Sequence, residues 1–289
     1  MDLSIIIVSW NVKDLLKKCL QSIYDQTIGL DFEVIVIDNA STDGSAQMVL
    51  DNFPRVDLIA SNENLGFAKA NNLGLEQARG NFICFMNPDM ELIENSFKSM
   101  RDLLVNNKKI GLATCQLVYP DLERQNNIKN NPGLCDQILI LLKLHHLSQP
   151  ACLKKYLAKD FDYFKQQKVQ QIMGAFVFSD DDFFHQIGGW DTDYWLWWED
   201  LDLCKRVQKA GYDIIYTPKT KIIHHEGKSF EQNPSLLKQK RFNRGMRIYF
   251  KKHHNLLSYL IISLLSPISL LLAWLSKTFK IKPQTQSKL

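Results

Sequence analysis

Between residues 3 and 118, short unbroken apolar runs alternate with segments of helical period: 3–8 then 12–24, 34–38 then 44–52, 56–60 then 66–79, and 82–86 then 94–107. Continuous Ile and Val, as opposed to alternating apolar and polar residues, suit strands covered on both faces, and a parallel sheet between helix layers supplies that cover. The order βαβα therefore predicts an α/β, Rossmann-like half around a mostly parallel central sheet. With 289 residues and 45% hydrophobic composition, the chain can bury a large core.

Ligands of such sheets bind beyond the carboxyl ends of the strands. Those ends carry Ser9-Trp10-Asn11, Asp38-Asn39-Ala40-Ser41, Ser61-Asn62-Glu63-Asn64 and Asn87-Pro88-Asp89. Any one of them could be a helix cap or a turn. Four polar strand ends in succession favour a ligand edge.

The rest of the chain has its own order. Residues 119–170 are less periodic and read as an insertion of helices and loops. A last block follows: a strand at 172–178, a short helix near 181–187, the Gly188-Gly189 turn, an aromatic loop from Trp190 to Trp198, a helix at 199–210, and strands near 213–217 and 221–224. The expected division is a first half over 1–115, a second over 116–250, and a tail over 251–289.

Three features carry chemistry. Asp89 stands at a strand end, where its carboxylate is a hard ligand for Mg²⁺ or Mn²⁺, ions usually held by one or two protein carboxylates plus substrate phosphates. Glu199, Asp200 and Asp202 open a helix whose dipole they complement. They also follow a loop richer in Trp than a connector needs, and aromatic platforms beside carboxylates suit sugar binding and general-base catalysis. His224 and His225 end a β-like run, and His is the commonest metal ligand.

Read together, 4–11 (SIIIVSWN), 34–45 (VIVIDNASTDGS), 62–72 (NENLGFAKANN), Asn87-Pro88-Asp89, 188–204 (GGWDTDYWLWWEDLDLC) and 210–227 resemble family 2 inverting glycosyltransferases, especially the rhamnosyltransferase-like branch. The resemblance runs from residue 1 to about 250 and implies a GT-A fold, with the nucleotide-sugar half first and the acceptor half behind it. It implies donor contacts at Ser9, Asn11, Asp38, Asn39, Ser41, Asn64, Gly66, Asn71 and Asn87, and acceptor contacts at Trp190, Asp191 and Trp198. Asp89 and His224, the latter in the family's H-x-x-G position ending at Gly227, look like the metal ligands. Asp200, with Glu199 beside it, looks like the catalytic base. Where many relatives have Asp-x-Asp, this chain has Asn87-Pro88-Asp89, which bears on how tightly a metal is held. The implied reaction is a single inverting displacement from a dTDP- or UDP-linked sugar, with rhamnose among the candidates, onto a hydroxyl of a glycan or lipid-linked acceptor. The alternative is a non-catalytic nucleotide-sugar-binding or scaffold protein. A nucleotidyltransferase would need a Gly-rich basic phosphate loop after the first strand, and Ser9 to Lys13 offers none.

Charge and hydropathy separate the tail from the body. Residues 1–237 hold 24 Lys/Arg against all 31 Asp/Glu, whereas 238–289 hold 11 Lys/Arg and no acid. Within that tail, 256–275 is 20 residues of uncharged, nearly continuous apolar sequence, the length of a bilayer span. It could span the bilayer with a kink at Pro267, lie in one leaflet as two half-helices, or form a buried soluble helix pair. Its length and lack of a polar face disfavour the last, and Pro267 with basic flanks on both sides favours monotopic attachment over a single span. Anionic headgroups would attract Arg241, Arg244, Arg247, Lys251 and Lys252. Nucleic acid is not the expected partner, since the tail joins its charge to apolar bulk and not to stacking residues spaced along a groove. The run at 3–8 follows Asp2 and is too short for a signal peptide. The six cysteines form no C-x-x-C pair and read as buried reduced thiols, so the expected location is the cytoplasmic face of the cell membrane.

Overall fold

A computed structural model describes residues 1–225 and 235–278. Gly227 of the expected H-x-x-G pattern and the tail beyond 278 lie outside the described residues. The central sheet runs β3 (Val56–Ala60), β2 (Phe32–Asp38), β1 (Leu3–Ser9), β4 (Phe82–Met86), β11 (Phe176–Asp180), β6 (Ile110–Val118), β12 (Asp213–His224), β5 (Met90–Leu92). The first four strands are mutually parallel and β12 runs parallel to β6, while β11 and β5 are antiparallel to their neighbours. The sheet is mostly parallel, as expected. It crosses residue 115 without a break, because β6 spans that position.

The apolar runs explain the layering. In β1, Ile5 and Ile7 join one buried cluster with Leu16, Cys19, Leu20 and Ile23 of α1 (Lys13–Gln26). Ile6, between them, faces the opposite cluster with Ile35, Ile37, Leu75, Trp190 and Val207. Successive side chains of a strand point to opposite faces, so a run of Ile is what two covered faces demand. The edge strand β3 is only half-buried.

Several elements differ from expectation. The helix expected at 66–79 is α3 (Phe67–Leu75). The strand expected at 172–178 is divided into β10 (Gln171–Ile172) and β11, leaving 173–175 as a link. The two expected strands at 213–217 and 221–224 form one strand, β12, with a register irregularity between Thr217 and Lys221, where Pro218 has no N–H to give the ladder. The insertion holds α5 (Leu134–Leu141) and α6 (Ala151–Tyr156), joined by a disulfide between Cys135 and Cys152 whose Cα atoms are 6.3 Å apart. The expectation of six reduced thiols is corrected there: packing of two short helices pairs cysteines 17 residues apart, a proximity no spacing pattern announces. Cys19, Cys84, Cys115 and Cys204 are free and buried.

The charged tail folds back onto the body. A basic helix, Ser235–His253, precedes an apolar helix, Leu256–Thr278, and the apolar helix packs on the basic helix and on α5. Ile262, Ser258, Ser266 and Ser269 face inward, and Asn243 donates to the Ser266 carbonyl (3.0 Å). Leu256, Leu257, Leu260, Leu264, Ile268 and Leu271 remain exposed. The helix is long and apolar enough to span a bilayer, and its serine stripe lies against protein while its leucine stripe faces out.

Candidate active site

The strand ends meet at one edge of the sheet. Asn39, just past β2, accepts from Leu65 N (2.7 Å) and donates to Asn64 Oδ1 (3.1 Å) and the Gly66 carbonyl (3.1 Å), while its own N–H donates to the Ser9 carbonyl (2.8 Å). A single buried amide thus holds three strand-end loops together. Ser41 Oγ accepts from Asn11 N (3.0 Å), Asn11 Oδ1 accepts from Thr42 N (2.7 Å), and Asp38 Oδ2 accepts from Ser41 N (3.0 Å). Asp38 Oδ1 and Ser9 Oγ are buried and have no hydrogen-bond partner among the described residues. A buried polar atom without a partner is costly, and both sit just behind the strand-end loops, outside the lining of the adjoining cleft.

The resulting cleft is lined by Asn39, Asn64, Gly66, Asn87 and Asp89, by Val8, Trp10, Phe67 and Pro88, and by Trp195 and Leu196 from the aromatic loop. Gly66 has φ +81°, and a Cβ there would lie 2.4 Å from the Trp195 carbonyl, which accepts from Phe67 N at 2.8 Å. Gly66 thereby lets the aromatic loop close over the donor edge. Asn71 is not brought to the cleft: it is buried one turn into α3, where its amide donates to the Phe67 carbonyl (3.0 Å).

Strand register assembles the next pair. β12 runs antiparallel to β5, with His224 opposite Met90, so His224 arrives beside Asp89 although 135 positions separate them. His224 Nε2 lies 3.4 Å from Asp89 Oδ1, and both side chains are buried. Gln125 Oε1 lies 2.6 Å from His224 Nδ1. A carbonyl oxygen accepts only from N–H, so Nδ1 carries a proton, and Nε2 faces Asp89. Asp89 Oδ1 has no hydrogen-bond donor among the described residues. A carboxylate oxygen and an imidazole nitrogen facing each other can share a proton, as an ion pair, and are of the ligand types that could also hold a divalent ion. Among the described residues no cluster of three His, Cys, Asp or Glu exists. His225 points instead to Glu91 (3.2 Å).

Three acids at the start of α8 (Glu199–Lys209) have three different settings. Asp202 is held by Arg206 (2.7 Å) and His253 (2.6 Å), and these outweigh burial to keep its carboxyl below the ordinary range. It pins the basic helix to the body. Glu199 is buried, its Oε2 lacks a partner, and burial together with the charge of Asp200 holds its carboxyl well above the ordinary range. Asp200 is also raised by burial, but it accepts from Gly174 N (3.1 Å) and Leu201 N (2.8 Å), and Lys129 draws it back. Of this interacting pair, Asp200 has the Gly174 and Leu201 donors and Lys129 to stabilise a negative charge, whereas Glu199 has only its own backbone N–H, so Glu199 holds its proton longer. Asp200 can serve as a base.

Segment 173–175 connects the two centres: Gly174 donates to Asp200, and the Ala175 carbonyl accepts from Asn87 N (2.9 Å). A Cβ at Gly174 would stand 3.3 Å from Asp200 Cβ. Neither Gly174 nor Gln125 was expected from sequence. A lone glycine between two apolar runs was the only trace of the first, and nothing marked the second.

The aromatic loop is not the open platform expected. Trp190 is 1% exposed and meets Phe67 and Phe85 edge-on in the core, and its backbone is fastened there by Asn72, whose Oδ1 accepts from the Trp190 backbone N–H (2.9 Å) and whose Nδ2 donates to the Trp190 carbonyl (2.7 Å). Trp198 is also buried, against Phe242 and Tyr249 of the basic helix. Asp191 is paired with Lys252 of that helix. Trp195 and Trp197 are the partly exposed members of the loop. Trp197 and Trp198 both have positive φ (65° and 78°), strain that tight packing must hold in place.

Residues 4–153 match the family described as glycosyl transferase family 2, and residues 157–228 match one described as the N-terminal domain of galactosyltransferase. The chain belongs to glycosyl transferase family 2. It is 24% identical over 217 residues to the N-acetylglucosaminyl-diphospho-decaprenol L-rhamnosyltransferase of Mycobacterium tuberculosis, spanning 70% of this chain and 69% of that protein. It is 26% identical over 242 residues to rhamnosyltransferase WbbL of Escherichia coli, 78% of this chain and 85% of that protein. A Sinorhizobium fredii protein matched over 250 residues at 25% identity is far longer, and the chain spans 26% of it. Among solved structures, the mannosyltransferase PcManGT of Pyrobaculum calidifontis in complex with GDP-Man and Mn²⁺ superposes with a TM-score of 0.59 at 18% identity, covering 98% of this chain and 76% of that one. That likeness shows the GT-A fold, and family membership makes the chain a transferase of sugars.

Proposed function

We propose that the chain is an inverting glycosyltransferase that moves a sugar from a dTDP- or UDP-linked donor, with rhamnose the leading candidate, onto a hydroxyl of a lipid-linked or envelope-glycan acceptor. The observation that carries the reading is the link from the Asp89–His224 pair to Asp200 through Asn87 and segment 173–175. The donor diphosphate lies at the strand edge, where Asp38 and Ser9 hold unpaired buried atoms just behind the loops that would meet nucleoside hydroxyls or base. The acceptor hydroxyl approaches Asp200, gives up its proton to Oδ1 or Oδ2, and forms a bond to the anomeric carbon from the face opposite the leaving group. The bond from that carbon to the diphosphate oxygen breaks, and configuration inverts. A Mg²⁺ or Mn²⁺ held by Asp89 and His224 would neutralise charge on the departing diphosphate. The Mn²⁺ of the solved relative supports that assignment by analogy. The test is nucleoside diphosphate release across a panel of sugar nucleotides with Mn²⁺, Mg²⁺ or chelator. One donor class should turn over with cation and stall without it, whereas binding with no release from any donor would favour a scaffold.

The same reading places the enzyme at the cytoplasmic face of the membrane, with the exposed leucine stripe set in the acyl boundary and the basic helix against anionic headgroups. Leu260 and Leu264 are 46% and 74% exposed. Leu260→Lys with Leu264→Lys should leave the unfolding transition where it is and move the protein from the pellet to the supernatant when sedimented with anionic vesicles. Continued pelleting at wild-type level would remove this helix as the attachment.

A further inference from the structure

Beside the donor cleft, the basic helix and the aromatic loop enclose a second, positively charged space. Its inner part, about 240 Å³, is lined by Asp193, Tyr194, Trp195, Leu196, Arg241 and Arg244. Trp195 and Leu196 also line the donor cleft, so the two spaces share a wall. Its outer part, about 400 Å³, shares Asp193, Arg244 and Ile248 with the inner one and adds Arg247, Lys251 and Tyr259. Tyr259 belongs to the apolar helix, beside the exposed leucine stripe that begins at Leu256. A trough therefore runs from the Trp195–Leu196 wall it shares with the donor cleft, past a row of cations, to the apolar surface.

Arg244, Arg247 and Lys251 stand at i, i+3 and i+7 on one face of their helix. They are exposed and form no ion pair among the described residues. The acid in the trough, Asp193, is already engaged by Lys252 at 2.6 Å. Arg241 is stacked on Trp195, 3.6 Å from the ring centroid. Three unpaired cations in a concave surface match an anion with several oxygens, and guanidinium pairs bind phosphate bidentately.

We propose that this trough holds the diphosphate of a polyprenyl-diphosphate-linked acceptor, with Arg244, Arg247 and Lys251 on its oxygens, the sugar reaching past Trp195 toward Asp200, and the polyprenyl chain leaving along the leucine stripe. The proposal rests on the glycosyltransferase reading and adds the acceptor class and its site. A phospholipid headgroup would need the cations alone. A wall shared with the donor cleft at one end and an apolar face at the other are what a sugar–diphosphate–lipid molecule requires.

The test uses the full chain with Arg244→Gln and Arg247→Gln together. Calorimetric titration with farnesyl diphosphate in chelator, which keeps the Asp89–His224 pair out of the measurement, should show binding weakened at least tenfold. Arg244→Lys with Arg247→Lys should restore most of it. Sedimentation with phosphatidylglycerol vesicles should weaken as well, since the same helix faces anionic headgroups, so the farnesyl diphosphate titration without vesicles is the measurement that reads the trough. In turnover, KM for a lipid-diphosphate-linked sugar should rise at least tenfold while KM for an alkyl glycoside of the same sugar stays put. Equal farnesyl diphosphate binding by wild type and double Gln variant overturns the proposal, as does a loss confined to the vesicles. A wild type that transfers to no acceptor defeats the glycosyltransferase reading, and the calorimetry then decides the trough by itself.

Discussion

Asp200→Asn is expected to lower turnover by about 10²–10⁴-fold, the usual contribution of a positioned general base, while donor affinity changes little. That loss corresponds to about 3–5 kcal/mol of transition-state stabilisation. Asn keeps the shape of the side chain and can still accept from Gly174 N or Leu201 N through its one oxygen. It removes the capacity to take a proton. Turnover near wild type in this variant would dismiss Asp200 as the base. The pH profile supplies a second reading. Asp200 must be deprotonated to act, and burial lifts its carboxyl above the ordinary value. The acidic limb of kcat/KM should therefore lie above the usual carboxylate range, with activity falling as pH drops through it. Lys129 is among the groups holding that value down, so Lys129→Met should carry the limb higher still.

What could be read from sequence follows from how local each cause is. The Ile runs of β1 and β2 report burial on two faces residue by residue, so the sheet and its ligand edge were legible, and so were Asp89 and Asp200 as acids placed at element ends. Roles that depend on long-range register were not. Resemblance pointed to His224, but its meeting with Asp89 depends on β12 lying antiparallel to β5, and the proton on Nδ1 depends on Gln125, 99 positions away. The aromatic loop misled for a physical reason: a Trp that fills a core and a Trp that stacks on a sugar carry the same surface and polarity. Only the inward bond from Asn72 to Trp190, and the left-handed turn at Trp197 and Trp198, assign those rings to packing. Gly66 lines the donor edge, yet its distinctive constraint is the close approach of Trp195.

The buried pair Asp89–His224 has two physical explanations, and Asp89→Ala separates them. If the pair is only an ion pair that fastens β12 to β5, removing one partner leaves the other buried and unpaired, and the cost falls on stability, about 3–5 kcal/mol for a buried pair, whether or not cation is present. If it holds a cation, the loss falls on donor binding and depends on that cation. We expect the second: donor affinity about 10–100-fold weaker in Mn²⁺, comparable to losses at disrupted metal sites, and nearly equal affinities for variant and wild type in chelator. Asn87 bears on the magnitude. Where many relatives have a second acid, this chain offers an amide, so fewer protein charges draw the ion and more of its coordination comes from the diphosphate. Metal and donor should then bind together: Mn²⁺ alone should bind the wild type weakly, and nucleoside diphosphate should tighten it. Gln125→Leu should weaken that coupled binding less than Asp89→Ala, because it frees the tautomer of His224 and leaves both ligands in place. A variant at Asp89 that loses thermal stability but keeps a wild-type response of donor affinity to Mn²⁺ would return the pair to a purely structural role.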